Sequence, residues 1–295
     1  MNINRATKCL HLASLILFSA LTSAAQGFSL PSGRTTNFID WNETFEGSTG
    51  SSGQEMVLNS SATYYFGRFS VGAGIPFYLN RSISPTQVLI NEGIGDAFVK
   101  VGSSWDIDSL NLSTALTGAA PTGDPNKGFG TGHGTFDWTT RIDHNFGFVT
   151  PFLEGGIANT LTDTPFFHRP FTSFGTLAHF EGGTNVDLSH SFTLLLSGYE
   201  IAPWGTQTII SRDVINGATG SGGQDGRVWE VNHETTGPAS INFDDGFTAG
   251  LTFSPKPYLN LSAGYTRSLS FAFNTFSWRL GFNMSSLISG KNSAR

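Results

Sequence analysis

Apolar and polar residues alternate along much of this chain with a period of two. From residue 271 it reads FAFNTFSWRLGFNM. Phe276, Trp278, Leu280, Phe282 and Met284 therefore share one face of an extended strand, and Ser277, Arg279, Gly281 and Asn283 share the other. GTFDWTTRIDHNF sets Phe136, Trp138, Thr140 and Ile142 against Asp137, Thr139, Arg141 and Asp143. In PYLNLSAGYTR, Leu259, Leu261, Ala263 and Tyr265 alternate with Asn260, Ser262, Gly264 and Thr266. The pattern predicts about twelve strands, near residues 36–46, 55–67, 69–81, 93–105, 108–119, 133–146, 148–160, 172–187, 190–203, 242–254, 257–267 and 271–285.

The connections between these strands alternate in length. Short turns at 67–68, 106–107, 146–147, 189 and 255–256 are interleaved with long loops, the longest spanning 204–241; the loop near 268–270 is short where the alternation calls for a long one. Long loops on one rim, short turns and both chain ends on the other, and an even strand count are the layout of an antiparallel transmembrane β-barrel of the outer-membrane type. Strands of this length suit the roughly 9–11 tilted residues that cross the hydrocarbon layer. The barrel must close, because an open sheet edge would leave backbone groups unpaired in lipid. A soluble β-sandwich also alternates, but with shorter strands and a more highly charged surface.

The first residues add a destination. Arg5 and Lys8, an apolar stretch over 10–21 and Ser23-Ala24-Ala25 have the layout of a secretory signal peptide with cleavage near Ala25. This divides the chain into a signal peptide, 1–25, and a barrel domain, 26–295, at the cell outer membrane. Cleavage removes Cys9, the only cysteine, which excludes disulfides, thiolate metal sites and a cysteine nucleophile. It also removes two of 16 basic residues, leaving 14 against 22 acidic ones, a net charge of −8. That balance gives no reason to expect a nucleic-acid partner. With 36 glycines, 26 phenylalanines and only 13% charged residues, few side chains are left to solvate a surface, which suits a wall facing lipid. The expected partners are outer-membrane lipid, the barrel assembly machinery during biogenesis and a small-molecule solute. Tyr64, Tyr65, Trp105, Trp138, Tyr199, Trp204, Tyr258, Tyr265 and Trp278 are placed to form an aromatic girdle. The chain runs past Met284 to Arg295 instead of finishing on an aromatic residue, so the tail is expected to dock at the periplasmic rim.

Two motifs carry a family resemblance. Gly93-Ile94-Gly95-Asp96 opens a strand continuing AFVKVGSSW, and Ala120-Pro121-Thr122-Gly123-Asp124 precedes GFGTGHG. With the signal peptide and the barrel pattern, the chain resembles the outer-membrane family named for the meta-pathway of phenol degradation. The resemblance implies a transporter-like barrel that admits small aromatic or hydrophobic compounds passively. It covers most of the mature chain.

Asp96, Lys100, Asp137, Arg141, Asp143, Glu154, His179, Glu181 and Arg279 fall on predicted inward faces and are the candidate pore-lining residues. Asp96 and Lys100 share a face and are expected to pair. Pro121, Gly123 and Asp124, with the glycines that follow, form a loop that either folds inward as a constriction or stays exposed. No cofactor is expected. GFGTGHG has no helix after it and no Walker lysine, so it is not a nucleotide loop. His179 and Glu181 are two metal-ligand types without a third. No spacing singles out a Ser-His-acid triad, so no enzyme activity is expected. Two alternatives to transport stay open: surface adhesion or recognition through the 204–241 loop, whose TGSGGQDG stretch predicts an exposed excursion, and a lipid-directed outer-membrane hydrolase.

Overall fold

The computed structural model describes residues 37–50, 53–83, 88–161, 163–164, 166–212 and 227–289. The expected signal segment, the TGSGGQDG stretch and the last six residues lie outside the described residues. The strands are β1 (Phe38–Thr49), β2 (Gly53–Phe66), β3 (Phe69–Ile83), β4 (Val88–Ile94), β5 (Phe98–Ile107), β6 (Leu110–Ala119), β7 (Thr135–His144), β8 (Val149–Ala158), β9 (Phe171–Phe174), β10 (Leu177–Ser189), β11 (Phe192–Pro203), β12 (Thr206–Ser211), β13 (Glu234–Pro238), β14 (Asp244–Lys256), β15 (Leu259–Ser268) and β16 (Phe273–Asn283). A single helical turn, α1 (Met284–Ser289), follows.

Thirteen of these strands form one continuous antiparallel sheet that closes on itself. β4 and β5 are two halves of one stave, both paired with β3, so the barrel has the twelve staves that the alternation predicts. Closure runs along β1 and β16, from Asn42 opposite Asn283 to Thr49 opposite Phe276. The tight turns at 67–68, 108–109 and 190–191 lie on one rim, together with the start of β1 and the end of β16. There α1 packs back on β1, where the Trp41 amide donates to the Ser285 hydroxyl at 2.9 Å. The first part of the tail thus lies against this rim, and its last six residues lie outside the described residues.

The alternation separates lipid-compatible from water-compatible surface. Outward residues of the staves include Ile39, Phe69, Val99, Trp138, Leu153, Phe180 and Phe276, all exposed and apolar. Inward residues are polar and buried: Ser48, Asn59, Ser113, Ser197, Thr266 and Ser277 among them. Tyr199 is a correction to the girdle expectation. It points inward, donating its hydroxyl to Asp244 at 3.1 Å, because it has the parity of Ile201 and Ser197 and not that of the outward Leu196.

The strand expected over 172–187 is divided. Its first residues belong to β9, which pairs with β12, and β12 pairs with β13, in a separate three-stranded sheet. Thus the described parts of the 204–241 loop are packed structure. Gln207, Ile209 and Trp229 are all but inaccessible, and Trp229 meets Phe171 and Phe271 at ring-centroid distances of 4.6 Å.

The outward parity of Leu153, at the middle of β8 and 61% exposed, gives a direct check. Leu153→Arg is expected to destabilise the barrel in lipid by about 2–4 kcal/mol, the cost of an arginine at mid-depth on a lipid-facing stave. Denaturant unfolding in vesicles measures this; an unchanged midpoint would place Leu153 away from lipid.

Candidate functional site

Among the described residues, a segment between β8 and β9 (159–161, 163–164 and 166–170) turns into the barrel and divides the lumen. Its described residues Leu161, Phe166, Phe167, His168 and Arg169 are each less than a tenth exposed. A tight turn, in which Thr164 and Phe167 exchange backbone hydrogen bonds at 3.0 and 3.1 Å, shapes its tip.

Phe166 seats the tip. Its carbonyl accepts hydrogen bonds from the hydroxyls of Thr266 on β15 and Ser277 on β16, at 2.9 and 3.0 Å. Its ring lies over Gly250 and Gly264, which face each other across β14 and β15. A Cβ on Gly250 or Gly264 would stand 2.7 or 2.3 Å from that ring, so glycine at both positions is what leaves room for it.

Around this contact lies a buried ionic network. His168 Nε2 is 2.9 Å from Glu46 of β1, and Arg279 of β16 is 3.1 Å from the same carboxylate. Arg169 reaches Asp244 of β14 at 3.5 Å and stacks over Phe167. Arg212, just past β12, joins the pieces. It pairs with Glu55 of β2 and with Asp163 at 2.9 Å, and donates to the carbonyls of Gly128 and Arg169, both at 3.1 Å. Asp163 in turn accepts the Arg169 amide at 3.0 Å. Burial alone would push the Asp163 carboxyl up, but Arg212 and His168 outweigh it and hold it below the ordinary carboxylate range. For His168, burial opposes the charged form and contact with Glu46 overrides it, raising the imidazole above its ordinary 6.5.

Two cavities flank the segment, of about 110 and 160 Å³. Asp137, Thr160, Leu161 and Asp163 line both, so they mark the neck between them. The first cavity is bounded by the inner wall of β5–β8 and β10. There Lys100, Asp137, Arg141, Glu154, His179 and Glu181 come together. His179 meets Asp137 at 3.0 Å; Arg141 lies 3.5 Å from Asp143 and 3.7 Å from Glu154; and Glu154 and Glu181 stand opposite each other on β8 and β10.

Asp96 faces the second cavity but does not form the expected pair with Lys100. It accepts the backbone amides of Gly123 and Thr131 at 2.9 and 3.3 Å. The Thr122 hydroxyl bridges the same joint, donating to the Gly95 carbonyl at 3.0 Å and accepting from the Ala97 amide at 2.7 Å. The two glycine motifs are thus halves of one structure, fastening the 120–134 loop across the break between β4 and β5. That loop folds inward, burying Phe129 against Tyr78. Pro121, Gly123 and Asp124 nevertheless line neither cavity: Pro121 is exposed, Gly123 is spent on Asp96, and Asp124 caps the short turn Pro125–Lys127. Thr160, Leu161 and Asp163 of the inward segment line both cavities. Asp143 pairs with Arg141 at the edge of the first cavity, and Arg279 lies beneath the inward segment.

Sequence reasoning did not single out Glu46, Glu55, Asp163, His168, Arg169, Arg212 or Asp244. One signal was present. PFFHRPF at 165–171 is far too aromatic for a loop left in water, and it carries two basic residues with no acidic neighbour beside them.

No family model matches the sequence, and no curated protein matches it significantly. The likeness to the phenol meta-pathway family therefore rests on its motifs alone. Among solved structures, an outer membrane channel from Pseudomonas putida F1 superposes with a TM-score of 0.59, at 12% identity, over 88% of this chain and 99% of that one. The NanC porin overlaps more loosely, with a TM-score of 0.46 at 9% identity over 83% of this chain and 98% of its own. At such identities what is shared is the fold, a closed outer-membrane barrel.

Arg212→Gln is expected to unseat the inward segment while leaving the staves closed. Removing one partner of a buried charge network costs about 3–5 kcal/mol, because the carboxylates left behind stay desolvated. The change should make Phe166 and Phe167 cleavable by chymotrypsin in the folded barrel. Equal resistance in variant and parent would show that Arg212 does not hold the segment.

Proposed function

We propose that this chain is an outer-membrane channel for passive diffusion of small solutes, exported with residues 1–25 removed near Ala25 and inserted by the barrel assembly machinery. Small aromatic or hydrophobic molecules are the solute class suggested by the motif resemblance. The observation that carries the reading is a charged, hydrogen-bonding lumen inside an apolar exterior, with a cavity on each side of the inward segment that follows β8. A barrel that serves only as an anchor has no need of such a lined interior, whereas a diffusion path needs polar walls and a narrow place that discriminates. In this reading Lys100, Asp137, Arg141, Glu154, His179 and Glu181 line the path, and Asp137, Asp163, Thr160 and Leu161 form its neck. The wall carries both signs of charge in close pairs, so a neutral solute meets hydrogen-bonding groups without a strong single-sign field.

Ile209 of β12 and Trp229 share an apolar cluster with Leu161 and Phe167 of the inward segment, so the described parts of the 204–241 loop do not form a free adhesive arm. Nor do the described residues bring a hydroxyl nucleophile, a histidine and an acid into line, which an acyl-transfer hydrolase requires.

Reconstitution in planar bilayers tests the proposal. The parent should give discrete openings that phenol-like solutes block, and replacing 163–169 by a short glycine linker should raise the single-channel conductance several-fold. A heat-modifiable barrel that conducts in neither form would remove the channel reading.

A further inference from the structure

The inward segment is held by an unusual balance of buried charge. Glu46, Glu55, Asp163 and Asp244 supply four carboxylates, while Arg169, Arg212 and Arg279 supply three guanidinium groups. His168 is the remaining basic member. All eight side chains are largely removed from solvent, and Glu46 and Asp244 are fully so. With His168 protonated the cluster is neutral; with it deprotonated one negative charge is left uncompensated in a poorly hydrated interior, which is costly.

The members come from different elements. Glu46 on β1, Glu55 on β2, Asp244 on β14 and Arg279 on β16 belong to the fixed wall, and Tyr78 on β3, Asp96 beside β5 and Asp137 on β7, itself paired with His179, are the other titratable groups among the described residues that line the same cavity. Asp163, His168 and Arg169 belong to the segment, and Arg212 lies just past β12. The ion pairs therefore cross the boundary between a hydrogen-bonded cylinder and one loop. The described residues of the loop make no strand ladder with the wall; besides the ion pairs the loop is seated by the Phe166 ring, by two hydroxyl bonds to one carbonyl, and by Leu161 and Phe167 in an apolar cluster with Leu177, Ile201 and Phe273. The ion pairs are the part of this seat whose strength depends on protonation, so they are where a bound and a released arrangement can be biased, which is what a gate requires.

We propose that residues 159–170 form a gate latched shut by the protonated His168 against Glu46, and that loss of this proton releases the segment from the lumen. This rests on the channel reading above. The sign follows from linkage. His168 is raised in the folded state, so its contribution is complete below its ordinary 6.5 and is lost as pH rises through the higher folded value. The channel is thus more closed in acid and opens toward alkaline pH. Lowering the pH far enough to protonate Asp163 would strip the Arg212 contact as well, so the latch is tightest between these limits.

The test uses the full-length protein in planar bilayers between pH 5 and 9. Open occupancy should rise with pH by at most about tenfold per unit, the limit for one linked proton. His168→Gln should be open throughout and His168→Lys closed throughout. A Phe166→Cys/Gly264→Cys pair in a Cys9→Ser background should abolish the response when oxidised, since a Cβ at 264 would lie 3.1 Å from that of Phe166, near disulfide range. Conductance that ignores pH, or a His168→Gln variant that titrates like the parent, overturns the latch while leaving the channel standing. If neither the parent nor the 163–169 replacement conducts, the channel reading has failed. The latch is then judged by chymotrypsin cleavage at Phe166 and Phe167, scored against a peptide of the same sequence at each pH. Protection lost with rising pH in the parent but kept in His168→Lys supports it; protection independent of pH overturns it.

Discussion

Backbone hydrogen bonding in a medium without water is the constraint from which this structure follows. Each N–H and C=O at membrane depth must find a partner within the protein, and a sheet meets that requirement only by closing. The seam between β1 and β16 therefore governs the whole molecule. At the end of the seam where β16 stops, Asp40, Asn42 and Asn283 interlock through their side chains, and α1 turns back over the rim. The residues that close the backbone ladder are thus secured by side chains at the point where the strands end.

Closure with twelve staves creates a second problem, an interior wider than its wall side chains can fill. The chain solves it with its own loops. Residues 159–170 descend into the lumen, 120–134 fold across the break between β4 and β5, and the β9–β12–β13 sheet packs above them. These pieces meet at Arg212, which touches the wall through Glu55, the inward segment through Asp163 and Arg169, and the second loop through Gly128. A buried guanidinium with several acceptors is a natural hub. It cannot be deprotonated, and its planar array of donors holds several oxygens in fixed directions.

The same interior shows how polar groups are made tolerable away from bulk water. On the β5–β8 wall the charges are arranged in neighbouring pairs, Asp137 with His179 and Arg141 with Glu154 and Asp143. On the opposite wall Glu46 is shared between Arg279 and His168. One group of pairs borders a cavity; the other is roofed over and joins the inward segment to the wall. The inward faces of the staves carry both, and their neighbours decide which role each takes.

The alternation at 134–146, 257–267 and 271–284 determined the strands, their inward and outward faces and the closed architecture, because a period of two joined to a lipid-water boundary leaves few other solutions. It also put Lys100, Asp137, Arg141, Glu154, His179 and Glu181 on the lumen side. What it did not determine was which loop enters the lumen. Sequence left open whether the GFGTGHG loop folds inward; in the structure its backbone holds Asp96 at the strand break, while Phe166, Phe167, His168 and Arg169 of the PFFHRPF stretch are buried in the lumen. Nor did parity alone locate the partners of Arg212 and His168, which lie as far as 157 residues away along the chain. Periodicity is a local property, set by how each residue meets a flat sheet. Contacts inside a closed barrel depend on which staves face each other across the lumen and on where glycines such as Gly250 and Gly264 leave space, and that is decided only when the cylinder is complete.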